Sequence, residues 1–218
     1  MRVLVGCEES QVVCKAFRER GHEAYSCDLQ ECSGGHPEWH FDCDVMDLLQ
    51  TRVRLFITQN GDYHSIDKWD LGIFHPPCTY FSRAAGRWLY NPDRLVKTKE
   101  SYEFVKNIWN SGIPKIAIEN PPGWLCTNWK RPSQKIHPWY FGDPEMKETC
   151  LWLKGLPKLQ GLRTVAERPK LYHPKPISSR MGSDGKVKNK YFVSRMTNAK
   201  DRSKTFPGIA RAMAEQWG

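Results

Sequence analysis

Long apolar runs are missing from this chain. No stretch approaches the about 20 consecutive apolar residues that a bilayer-spanning helix needs, so no membrane segment is expected. No secretory leader is expected either. The first residues, Arg2 to Val5, read as a buried strand rather than as a charged and then apolar signal peptide. The expectation is a mature chain that starts near Met1 and stays in the cytoplasm, as a monomer. The spacing of a small disulfide framework is also absent. The eight cysteines are scattered, which predicts reduced thiols. No internal repeat is present. The first strand–helix turn lacks Gly-x-Gly-x-x-Gly and reads Gly6-Cys7-Glu8-Glu9-Ser10-Gln11. Two acids there would repel a pyrophosphate.

Acidic residues are scarce in one region only. Between Lys158 and Lys204 thirteen Lys or Arg stand against three acids, Glu167, Asp184 and Asp201, which gives +10. The whole chain carries +9, so this segment holds all of the excess. A basic tract confined to one segment is the footprint of a polyphosphate partner. Tyr172, His173, Tyr191 and Phe192 add rings that could stack on bases. The plain alternative is a solvated basic surface.

At 218 residues the chain fits one domain, or one domain with a small appendage. The divisions read from it are a core over 1–157, the basic segment over 158–204 and a returning helix over 205–218. Arg2 to Gly6 is a buried strand. A helix starts at Glu8 to Ser10, runs to about Arg20 with a stripe of Val12, Val13, Ala16 and Phe17, and is closed by Gly21. His22 to Cys27 is the next strand, ending in Asp28. In such strand–helix–strand units the first turn meets a charged group of a nucleotide-type cofactor, and the acid takes ribose hydroxyls. A cationic sulfonium cofactor with an amino-acid tail suits the acidic turn. The helix-end amides and Ser10 would hold its carboxylate, and Glu8 or Glu9 its ammonium.

Two later stretches share a design. Trp69 to Phe74 is a short apolar strand stopped by His75-Pro76-Pro77, after which Cys78 is presented at a rigid corner. Lys115 to Ile118 is another strand, followed by Glu119-Asn120-Pro121-Pro122-Gly123. A thiol and a carboxyl at two strand ends of one open sheet would face one small planar substrate. The bland reading of Cys78 is a buried structural thiol. Asp28 and Asp44 likewise have a plain reading as helix-cap or turn residues.

Pro-Pro-Cys-x-x-Phe-Ser, followed about forty residues later by Glu-Asn, resembles the DNA cytosine-5 methyltransferases, in particular the short members encoded by phages and prophages. Phe41-Asp42-Cys43-Asp44-Val45 resembles that family's third motif, with Cys43 where Gly is usual. Pro121 replaces the Val that ordinarily follows Glu-Asn, and a Gln-x-Arg-x-Arg segment is not evident. The resemblance implies a Rossmann-like S-adenosylmethionine-dependent methyltransferase fold, an α/β mostly parallel sheet with helices on both faces. It implies Cys78 as nucleophile and Glu119 as the acid at the cytosine ring. S-adenosyl-L-methionine would be held by Gly6, Glu8, Ser10, Asp28, Asp44 and Pro76, with Asp44 at the adenine. DNA would be contacted by Asn120, Lys186, Lys188 and Lys190. Three rivals remain open: the same chemistry on a free pyrimidine nucleotide, on RNA, or a non-catalytic nucleic-acid-binding protein. Amino methylation fits less well, because it needs no thiol and uses Asp, Asn or Ser before Pro-Pro.

The rest of the chain carries weaker signals. Cys27, Cys32, His36, His40 and Cys43 form a zinc-like cluster whose spacings match no standard pattern, so no metal is expected. Thr51 to Asp67 reads as a polar connector with a Gln-Asn-Gly-Asp turn. A short helical piece is expected around Arg83 to Leu89. A long helix follows from about Asp93 to Trp109, with a face of Leu95, Tyr102, Val105 and Ile108. Pro121 to Tyr140 is loop-like, Thr149 to Leu153 and Tyr191 to Val193 read as strands, and Pro207 to Trp217 is the last helix.

Overall fold

The computed structural model describes residues 1–50, 55–82, 91–170, 178–181, 187–190 and 204–218. In chain order the elements are β1 (Arg2–Gly6), α1 (Val12–Arg18), β2 (Glu23–Asp28), β3 (His40–Asp42), α2 (Val45–Gln50), β4 (Leu55–Ile57), β5 (Tyr63–Ser65), β6 (Leu71–Phe74), α3 (Pro92–Trp109), β7 (Lys115–Asn120), α4 (Trp124–Asn128), β8 (Gln134–Ile136), β9 (Thr149–Lys154), β10 (Ser178–Met181), β11 (Val187–Lys190) and α5 (Pro207–Trp217). A seven-stranded sheet has the order β3-β2-β1-β6-β7-β9-β8. The pairs from β3 through β7 are parallel, and β9 alone is reversed, between β7 and β8.

The two-residue period of the strands divides the core. Val3 and Val5 of β1, Leu71 and Ile73 of β6 and Ala117 of β7 face one side, where α1 and α5 cover them with Phe17, Ile209, Met213 and Trp217. Leu4, Phe74, Ile116 and Ile118 face the other, where α2, α3 and α4 bring Leu48, Val105, Ile108 and Leu125. Burial on both faces explains why these strands are near-continuous apolar runs rather than alternating ones. Helices on both faces of a mostly parallel sheet are thus present, and the arrangement is consistent with a Rossmann-like fold.

Several sequence expectations shift here. Strand β7 runs on through Glu119 and Asn120, which pair with Leu151 and Cys150 of β9, so the strand does not stop at Ile118. Helix α1 begins only at Val12, because Cys7 and Gln11 take left-handed backbone angles, φ 60° and 57°. On α3, Leu95 is exposed and Thr98 is buried in its place. The presumed connector holds the β4–β5 hairpin around the expected turn, and the presumed loop from Pro121 holds α4 and β8. The expected helix at Arg83 to Leu89 and strand at Tyr191 to Val193 lie outside the described residues. None of the described helices is long and apolar enough to cross a membrane.

Candidate active site

The parallel strands deliver their carboxyl ends to one edge of the sheet. The chain turns from β1 toward β2 and β3 on one side, then returns to β6 on the other. The crevice between β1 and β6 is therefore the topological switch point, where ligands of open α/β sheets bind. There His75 N–H donates to the Gly6 carbonyl at 3.0 Å and locks the two strand ends together. Gly6 has no room for a side chain, because a Cβ would fall 2.6 Å from the Phe74 ring.

Cys78 leaves the Pro76-Pro77 corner in a 3-10 turn, with the amides of Phe81 and Ser82 both donating to its carbonyl at 3.0 Å. Its residue is exposed. Two ties hold this loop to the end of β7. The buried Asn120 donates from Nδ2 to the Pro76 carbonyl at 2.8 Å, and Ser82 bridges Gly123. Gly123 admits no side chain, since a Cβ would overlap the Phe81 carbonyl oxygen. A third tie comes from α3, whose Arg94 donates to the Thr79 carbonyl at 2.8 Å. Asn120, expected at the substrate, is only 1% exposed and serves the loop.

Glu119 lies on the neighbouring strand and is electrostatically coupled to Cys78. Burial pushes the Cys78 thiol above its usual value, the Glu119 charge adds to that, and Lys147 partly offsets it. At Glu119 itself burial works to raise the carboxyl. The hydrogen bond and charge of His75, the charge of Lys147 and the Thr149 hydroxyl outweigh burial and hold it below the ordinary carboxylate value. His75 Nδ1 stands 3.6 Å from Glu119 Oε2. His75, Lys147 and Thr149 were not assigned roles from the sequence. Lys147 and Thr149 belong to the lead-in and first residue of β9, and no motif marks them. His75 was visible only as the residue before Pro-Pro.

Beside this pair, a cavity of about 360 Å³ is lined by Asp28, Leu29, Asp44, Pro76, Phe81 and Phe104, among others. The expected cofactor acids thus share one cavity, although each also has the plain role. Asp28 accepts from the Gln30 amide at 3.0 Å, and Asp44 from the Met46 amide at 2.9 Å at the start of α2. Cys7 in the same wall is pushed up to about 12 by burial and by the charges of Asp28 and Asp44.

Glu8 and Ser10 are placed differently from expectation. Both are buried. The Glu8 carboxylate accepts from the amides of Val13 at 2.6 Å and Cys14 at 3.2 Å, so it caps α1 instead of facing the cavity. Glu9 accepts from the Ser33 hydroxyl. The first turn is therefore held by its own acids: Glu8 satisfies orphan amides of the helix, and Glu9 ties the turn to Ser33. The zinc-like cluster is dispersed into other contacts. The two ring nitrogens of His40 meet Ser26 Oγ and the Gln30 carbonyl, His36 stacks on Trp39, and the Cys27 and Cys43 sulfurs lie 3.9 Å apart. Among the described residues no group of three or more His, Cys, Asp or Glu side chains is placed to hold a metal ion. Lys188 and Lys190 are on β11, while Lys186 lies outside the described residues.

Sheet order, crossover positions and a strand-end thiol–carboxyl pair define the chain as a mixed α/β protein with a candidate ligand site at the switch point. Comparison with known proteins assigns it to no family: no family model matches the chain, and no curated protein is significantly similar to it.

Proposed function

We propose that the protein is an S-adenosylmethionine-dependent methyltransferase that modifies C5 of cytosine in DNA. The observation that carries this reading is the placement of Cys78 and Glu119 at the ends of neighbouring parallel strands, close enough for the carboxylate charge to oppose ionisation of the thiol. Methylating C5 needs both groups. The ring carbon is a poor nucleophile until a thiolate adds at C6 and the ring nitrogen accepts a proton.

The cavity fits the cofactor. Asp28 and Asp44 offer acceptors to hydroxyl and amino groups, and Leu29, Phe81 and Phe104 offer apolar walls to a purine. Bound there, the cofactor supplies an electrophilic methyl group. Cys78 gives its S–H proton to water and its thiolate forms the S–C6 bond, the ring's electron pair moves toward N3, and Glu119 delivers a proton to that nitrogen. C5 is then the nucleophilic end of an enamine. After transfer, a water takes the C5 proton, the thiolate is expelled and the N3 proton returns to Glu119, which restores the aromatic ring and the free enzyme. Asn120 and Gly123 keep Cys78 on its corner throughout. A base stacked in a duplex cannot reach this corner, so the target nucleotide is flipped out.

The test is incubation with labelled cofactor and DNA, followed by nucleoside analysis. Wild type should yield 5-methylcytosine and be trapped by DNA carrying 5-fluorocytosine. Cys78→Ala should do neither while cofactor affinity by calorimetry survives, and Asp28→Ala should weaken that affinity. Full activity in Cys78→Ala would refute the mechanism.

A further inference from the structure

The histidine before the Pro-Pro corner is an expensive residue for its position. Its side chain is only 9% exposed. Ring nitrogen Nε2 is buried and has no hydrogen-bond partner among the described residues, a loss that an apolar ring of similar shape would avoid. Packing alone therefore gives no reason for a histidine. The other ring nitrogen gives one. Nδ1 faces Glu119 Oε2 at 3.6 Å, with the Thr205 hydroxyl 3.5 Å away on the lead-in to α5. The two side chains come from consecutive parallel strands of the sheet, one just past the end of β6 and one on β7.

We infer that His75 is the proton reservoir of Glu119: Nδ1 and Oε2 share one exchangeable proton, and Glu119 passes it to the target ring. This rests on the functional reading above. It deepens that reading by supplying what the chain otherwise lacks, since a carboxylate held in its ionised form has no proton to give. When Cys78 bonds to C6, the shared proton leaves Nδ1 for Oε2 and passes on to ring nitrogen N3, so the imidazolium becomes imidazole and Glu119 is again a carboxylate. On elimination the N3 proton returns to Oε2 and from there to Nδ1, so nothing is consumed. The 3.6 Å separation is longer than a hydrogen bond, so the transfer requires the two atoms to approach. His75 acts through Glu119 and is thus a positioning residue.

Three further charged or titratable groups bear on the pair. Glu119 faces His75 from β7. The buried Glu8, between β1 and α1, is close enough to be influenced by its charge. Lys147, ahead of β9, acts on Glu119, and Cys78 is coupled to Glu119. Lys147 favours the ionised carboxyl of Glu119.

His75→Asn keeps an N–H donor near the Nδ1 position and removes the proton reserve. It should bind cofactor like wild type, lose about 100-fold in kcat and show its alkaline limb at lower pH, because only the proton of Glu119 itself is left. His75→Gln replaces it if the Asn protein does not fold. Wild-type kcat with an unmoved alkaline limb would overturn the inference. A second readout needs no activity: carbon-13 NMR of the Glu119 carboxyl should show its titration moving upward in the His75 variant. If wild type makes no 5-methylcytosine, the functional reading fails, and the NMR titration still decides the pair. An unmoved Glu119 titration breaks the link between the two residues.

Discussion

Cys78 and Glu119 illustrate how one residue bears on another's chemistry. Burial pushes the Cys78 thiol above its usual value, and the Glu119 charge adds to that. The coupling can be read without any substrate. Glu119→Gln deletes the negative charge, so the Cys78 thiol should ionise at lower pH than in wild type. Iodoacetamide alkylation of Cys78, followed by mass spectrometry across pH, should therefore be faster near neutrality in the variant. An identical pH profile in the two proteins would mean that the carboxylate does not act on the sulfur. The exposure of Cys78 makes the measurement direct, while Cys14, Cys27 and Cys150 are buried.

At the scale of elements, the site is two loops clasped at one sheet edge, and the clasp explains what was legible in the sequence. Strands β1, β2, β6 and β7 were readable because burial on both faces demands apolar runs. The Pro-Pro corners were readable because proline ends a ladder. What the motifs could not reveal lies across long separations, such as Asn120 on the Pro76 carbonyl and Lys147 near Glu119. Short strands β4, β5 and β8 have three residues each, too few for a period to declare itself. The first turn misled for a different reason. Its acids look like ligand groups, yet Glu8 is spent on the amides of Val13 and Cys14. Glu8→Ala leaves those buried donors unsatisfied and should cost about 1–2 kcal/mol in urea unfolding. Burial raises the Glu8 carboxyl, with the His75 charge and the two amides partly offsetting it. Its contribution to stability is then complete at acid pH and declines as pH rises through the raised value. Glu8→Gln has no such decline, so its stability relative to wild type should increase with pH. A stability difference independent of pH would assign Glu8 another role.

For the whole molecule the decisive quantity is where the charge lies. The segment from Lys158 to Lys204 holds +10 of a total of +9, which leaves the remainder at −1. Within it, Lys188 of β11 stands directly opposite Arg180 of β10, and Lys190 opposite Ser178. A concentration of like charge in one segment is relieved by an anionic partner. A nucleic acid does this along its length, and a free nucleotide satisfies only a few of the charges. The two readings separate by salt. Phosphate contacts release counterions, so log K for duplex DNA should fall linearly with log salt, by about 0.9 per phosphate contacted, whereas dCMP should give a shallow slope. Lys186→Glu, Lys188→Glu and Lys190→Glu should each weaken DNA binding to a similar degree across sequences and leave cofactor affinity unchanged. A segment of this size offers few side chains for base edges, so the sequence preference should be short or relaxed. Titrations with duplex DNA, single-stranded DNA, RNA and dCMP at several salt concentrations decide the matter. DNA affinity that is flat in salt, or dCMP turned over as well as any polymer, would make the tract a solvated surface and move the substrate from DNA to the free nucleotide.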